Sequence, residues 1–180
     1  MIRHARIGMF LSVALLAATQ IGFAENRSGA AGQQIERAIR RELITLPFYS
    51  LFDHLAFRVE GSTVTLSGKA SRPGLKSDAE NVVKRIEGVE TVVNQIDVLP
   101  LSAHDDRLRL ALYRAIYGHG TLQPLALRAV PPIHIIVENG NVTLEGVVGT
   151  ELEKTVANAQ ANSVPGAFSV KNNLRTETRK

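Results

Sequence analysis

The chain has 180 residues, 44% of them hydrophobic and 21% charged, which allows one or two domains and excludes disorder throughout. It has no cysteine, which excludes a disulfide framework, zinc–thiolate sites, thiol nucleophiles and a lipid-modified cysteine. The formal net charge is +4, and Arg3 and Arg6 near the start supply part of it.

Residues 1–24 read as a signal peptide. Arg3 and Arg6 open it, Ile7 to Ala18 is mostly apolar, and Gly22-Phe23-Ala24 places small residues before a cut. The apolar run is short for a transmembrane helix. Cleavage is expected after Ala24; a retained leader acting as an anchor is the alternative. The mature chain then holds 19 basic against 17 acidic residues, having lost Arg3 and Arg6. That near balance, together with export, argues against nucleic acid as a partner.

The mature chain begins with a helical period, Ile35, Ile39, Leu43 and Leu46. A strand follows, with Leu55, Phe57 and Val59 on one face and Ala56, Arg58 and Glu60 on the other. The turn Gly61-Ser62 leads into a second strand, Thr63 to Gly68, which makes a hairpin. Ser71 or Arg72 caps a second helix, Pro73 suits its first turn, and Gly88 closes it. Leu75, Ala79, Val82, Val83 and Ile86 form its apolar stripe. Val89 to Leu99 reads as the last strand, with Val92, Ile96 and Val98 on one side.

The pattern then repeats at a shift of 78 residues without a gap: Val59-Glu60-Gly61-Ser62-Thr63-Val64-Thr65-Leu66-Ser67-Gly68 lies on Val137-Glu138-Asn139-Gly140-Asn141-Val142-Thr143-Leu144-Glu145-Gly146. Gly88, Val92, Asn94 and Ile96 fall on Gly166, Val170, Asn172 and Leu174. The second copy predicts a helix near Glu151 to Val164, a Pro165-Gly166 stop and a strand from Phe168 to about Arg175. The expected fold is α/β, an α+β two-layer sandwich: two tandem α-β-β-α-β modules, each a small three-stranded mixed sheet packed under two helices. The boundaries are 33–100 and 104–176, with a tail at 177–180. The linker Leu99-Pro100-Leu101-Ser102-Ala103-His104-Asp105 is short and favours copies that touch.

These residues resemble the BON domain, named for bacterial osmotically induced and nodulation proteins. The carriers are Val64-Thr65-Leu66-Ser67-Gly68 with Gly88-Val89, Val92, Asn94, Ile96 and Val98, and Val142-Thr143-Leu144-Glu145-Gly146 with Gly166, Val170, Asn172 and Leu174. The second copy departs from the pattern at Ala167 and Thr176. The resemblance implies a periplasmic or envelope protein, often stress-linked, attached to phospholipid membranes and without a catalytic motif.

The residues themselves point away from an enzyme. His54, His104, His119 and His134 lack the spacing of metal ligands on one helix face, and no cofactor is implied because no phosphate-cradling glycine loop occurs. Ser50, Asp53 and His54 are close in sequence, yet they lack a nucleophile elbow and read as turn and strand-entry residues. Asn94 and Asn172 share the parity of apolar strand residues and read as amides that satisfy nearby backbone.

The copies differ most in their first helices. The first helix of the second copy has Leu108, Leu112, Ala115 and Ile116 on its core side and Leu110, Tyr113 and Tyr117 opposite, rimmed by Arg107, Arg109 and Arg114. Two readings stand. Arg107, Arg109, Leu110, Tyr113, Arg114 and Tyr117 form a surface for anionic phospholipid or an envelope protein partner. Alternatively, the helix is apolar all round because it is internal, packed on the first copy or under the apolar segment 118–132. A periplasmic protein-interaction adaptor, using a sheet edge or that segment, is the second functional reading.

Overall fold

The computed structural model describes residues 21–177. Helix α1 (Ile21–Ile44) is longer than its apolar period predicts and runs across the expected cut after Ala24. Residues 1–20 of the expected leader and the last three residues of the tail lie outside the described residues. The helix stops before Pro47, whose ring disfavours helical geometry in the residue ahead of it. The Thr45 hydroxyl donates to the Arg41 carbonyl at 2.9 Å, serving one of the last free acceptors. Leu46 lies beyond the helix but stays buried.

Strands β1 (His54–Glu60) and β2 (Thr63–Ala70) form an antiparallel hairpin. Helix α2 (Pro73–Val83) crosses over to β3 (Thr91–Val98), which lies parallel to β2. The order is β1-β2-β3, with α1 and α2 packed together on one face. Arg72 holds the cap position of α2 without a side-chain bond, so Pro73 and backbone geometry start that helix. The second module repeats the order with α3 (Ala103–Gly118), a short α4 (Gln123–Ala126), β4 (Ile133–Glu138), β5 (Asn141–Val148) and α5 (Glu151–Ser163). Its third strand position is split into β6 (Ser169–Asn172) and β7 (Arg175–Thr176), both parallel to β5. The single strand expected from Phe168 to Arg175 is therefore two pieces. The split falls where Leu174 drops into the core.

Each module has its own core. Ile39, Leu43, Val64, Leu66, Leu75, Ala79 and Ile96 meet in the first. Leu108, Leu112, Ile116, Ile133, Ile135, Leu144 and Leu174 meet in the second. Each valine, leucine or isoleucine among them contributes roughly 1.5–3 kcal/mol by leaving water. Gly68 and Gly146 hold the same place in both sheets. Their φ angles are +114° and +126°, and a Cβ there would strike the carbonyl of His54 or Pro132. The segment 118–132 is anchored by two of its leucines: Leu122 and Leu125 are buried, while Leu127 projects with the exposed residues beside it.

The modules touch, as the short linker predicts. The Ile135 N–H donates to the Leu51 carbonyl at 2.7 Å, and Lys69 pairs with Glu138 at 2.9 Å. Leu51 and Phe52 of the first module pack on the second core. On the face of β4 away from its own helices, His134 and Ile136 are also buried. Tyr49 and His54 stand over His134, with ring centroids 5.7 and 6.0 Å away.

Candidate functional site

Helix α3 starts at Ser102, whose hydroxyl accepts the Asp105 N–H at 3.2 Å; Asp105 and Asp106 in the first turn suit the positive end of the helix dipole. The helix lies along the outer edge of β4 and satisfies that edge with side chains. The buried Asp105 carboxylate accepts the N–H groups of Asn139 and Gly140, both at 2.8 Å, and so fixes the hairpin turn. Arg109 donates to the Val137 carbonyl at 2.6 Å and pairs with Asp106. The Tyr117 hydroxyl serves both backbone groups of Ile133. Burial raises the Tyr117 pKa, so the hydroxyl keeps its proton.

The six candidate residues of this helix therefore divide. Arg109 and Tyr117 turn inward, 6% and 4% exposed, and are engaged with β4. Arg107, Leu110, Tyr113 and Arg114 turn outward, with Leu110 49% and Tyr113 37% exposed. Among the described residues, no acid lies within ion-pair distance of Arg107 or Arg114. The outward strip thus carries two free positive charges beside two half-open apolar side chains.

The sequence reading missed apolar groups at the start of this face. Phe48 is 72% exposed and Leu101 97%, and both border one groove with Asp106 and Arg109. The Arg72 guanidinium carbon stands 5.2 Å from the Phe48 ring centroid. Phe48 has φ of +66°, an uncommon conformation for a bulky residue. Its position directly after Pro47 was the one signal in the sequence.

Ser50, Asp53 and His54 are brought close but not into a nucleophilic arrangement. The Ser50 hydroxyl donates to Asp53 Oδ2 at 2.7 Å rather than to a histidine. Asp53 is fully buried and also accepts the N–H groups of Ser50 and Ser71, so it fastens the turn before β1. His54 packs on His134 instead. Burial lowers the pKa of both histidines. No cluster of three metal-ligating side chains occurs among the described residues.

Asn94 and Asn172 perform the same structural task. Each Oδ1 accepts the N–H two residues on, Ile96 at 3.1 Å and Leu174 at 3.0 Å. Each Nδ2 donates to a helix carbonyl, Lys76 at 3.0 Å and Lys154 at 3.1 Å. The amide thus ties the last strand to the second helix of its module.

Comparison with known proteins agrees with this architecture. The BON domain family model matches residues 31–100 and again 104–178. The chain is 28% identical to osmotically-inducible protein Y of Escherichia coli (strain K12), over 93% of this chain and 94% of that one. Among solved structures it is similar to CdsD, a structural protein of the type III secretion system of Chlamydia trachomatis, at 14% identity. That likeness covers 82% of this chain and 94% of CdsD, with a TM-score of 0.29. The C-terminal domain of CdsD gives 14% identity over 81% and 96%, with a TM-score of 0.26. Overlap this low carries no argument about fold or function.

Proposed function

The chain belongs to the BON domain family, and from that premise we propose that it is a non-catalytic, exported binding module of the bacterial cell envelope that docks on anionic phospholipid. The leader, expected to be cut after Ala24, would deliver it to the periplasm. The likeness to a relative named as osmotically inducible supports a part in envelope integrity under osmotic stress.

The observation that carries the reading is the outward strip of α3. Leu110 and Tyr113 are exposed there, and among the described residues Arg107 and Arg114 have no acid partner. Apolar and aromatic side chains suit the headgroup boundary, and each arginine near an anionic surface contributes about 1 kcal/mol. Phe48, Leu101 and Arg72 extend the same chemistry past the start of the helix. Among the described residues, no helix is long and apolar enough to cross a membrane.

Sedimentation with phosphatidylglycerol and phosphatidylcholine vesicles tests this. The expected result is binding to the anionic vesicles alone, weakened by salt and abolished by Arg107→Glu with Arg114→Glu. Equal binding to both vesicles, or full binding by the double variant, overturns it.

A further inference from the structure

The first module has an uncovered strand edge where the second has a covered one. Hairpin geometry decides which backbone groups point outward. Glu60 and Thr63 flank a two-residue turn and are the pair that exchanges N–H···O bonds. Arg58, Ala56 and His54 therefore also bond toward β2, and Leu55, Phe57 and Val59 turn their N–H and C=O groups away from the sheet. Ile133, Ile135 and Val137 hold the same register in the second module.

In the second module each of those residues is served. Tyr117 bonds Ile133, Leu51 accepts the Ile135 N–H, and Arg109 donates to the Val137 carbonyl. Placing Ile35, Ile39 and Leu43 on Leu108, Leu112 and Ile116 aligns the two first helices. Glu36 then stands in the place of Arg109, and Ile44 in the place of Tyr117. A carboxylate cannot donate to a strand carbonyl, and isoleucine bonds neither group. Tyr49 reaches the Leu55 backbone, but the outward groups of Phe57 and Val59 have no partner among the described residues.

This edge forms one wall of a groove of about 630 Å³. Glu36 and Arg40 of α1 line one side, and Pro132, His134, Val147 and Arg175 of the second module line the other. We propose that this groove receives an extended acidic peptide segment, which adds to β1 as a further strand. Unpaired edge groups bind such a segment by main-chain hydrogen bonds. The second module stands across the groove, so an occupant would lie between two walls. Side chains of an added strand alternate between the two walls. Arg40 meets one row, while Arg175 and Arg58 meet the other; Arg58 also pairs with Glu60 at 3.6 Å, and Glu36 is the one carboxylate among the lining residues. The site shares no residue with the α3 strip.

Backbone amide NMR of the intact protein, titrated with a blocked hexapeptide alternating Glu and Val, tests the proposal. Saturable shifts and slowed hydrogen exchange are expected at the Phe57 and Val59 amides, while the Arg58 amide, already paired, stays protected throughout. The matching Lys–Val peptide should bind at least about tenfold more weakly. Val59→Pro removes an outward N–H without breaking the β1–β2 ladder and should abolish binding. Arg58→Glu with Arg175→Glu should do so without touching the backbone. Absence of saturation at those two amides, equal binding of both peptides, or self-association through β1 overturns the proposal. Vesicle binding by α3 is read separately, and its success or failure leaves this outcome unchanged.

Discussion

The Tyr117 hydroxyl makes two hydrogen bonds with one residue, donating to the Ile133 carbonyl at 2.7 Å and accepting its N–H at 3.1 Å. A single side chain thereby closes the first step of the β4 edge. With Arg109 on Val137, it fixes α3 along the strand and holds the remaining side of the helix toward solvent.

Tyr117→Phe keeps the ring and deletes the hydroxyl, leaving two buried backbone groups unpaired. Each such group costs roughly 1–3 kcal/mol, and urea unfolding should show a loss of at least that size. Arg107→Glu with Arg114→Glu should change stability by no more than about 0.5 kcal/mol, because both are exposed. Vesicle sedimentation should give the reverse ranking. If Tyr117→Phe left the urea midpoint unmoved, the edge-closing role would be wrong.

Asn94 and Asn172 offer a test internal to one molecule. Asn172→Asp replaces a donor to the Lys154 carbonyl with an acceptor, at an expected cost of about 1–3 kcal/mol. Asn94→Asp should cost more. Its Nδ2 also donates to Glu80 Oε2 at 3.0 Å, so the new carboxylate would face another one. That excess should shrink as pH falls and the new acid protonates, which unfolding curves at pH 7 and pH 4 would compare. Equal costs at both pH values would remove the Glu80 argument.

Gly146→Ala tests the repeat's shared glycine. The φ of +126° disfavours any side chain, and the new Cβ would meet the Pro132 carbonyl. A loss of at least about 2 kcal/mol is expected from strain alone. Gly68→Ala should behave alike, since His54 stands where Pro132 does. A thermal midpoint close to the parent for either variant would contradict this.

The elements set by local chemistry were legible from the residues: both hairpins, the glycines, the asparagine tie and the crossover helices. The inward turn of Arg109 was not, while that of Tyr117 was one of two readings. A helix that lies on a strand edge buries polar side chains, so apolar periodicity assigns them to the wrong side. The choice between an exposed and an internal α3 was answered in halves for the same reason. The run Ile133-His134-Ile135-Ile136-Val137 did carry a signal, since strands covered on both faces lose their alternation. What covers them, Leu51 and Tyr49 from far along the chain, depends on how the modules meet, and no local pattern records that.

Acid should weaken the contact between the modules. His134 is 8% exposed, faces His54 and Tyr49, and its Nδ1 has no hydrogen-bond partner among the described residues. Burial, then the charge of His54, holds its pKa below the ordinary 6.5, with Asp53 and Ser50 opposing. Burial also lowers His54; Glu145 opposes that shift and Arg175 adds to it. The folded state thus binds these protons less readily than the unfolded chain. Stability is fully present above pH 6.5 and is lost as pH falls below it toward the folded values. Each histidine can contribute a slope of at most about 1.4 kcal/mol per pH unit. Unfolding midpoints measured from pH 7.5 to 5.5 should fall in the parent and fall less in His134→Gln, which cannot titrate. Because the two rings come from different modules, the same window should loosen the Leu51–Ile135 hydrogen bond, seen as faster exchange of the Ile135 amide. Parallel curves for parent and variant would place the pH sensitivity elsewhere.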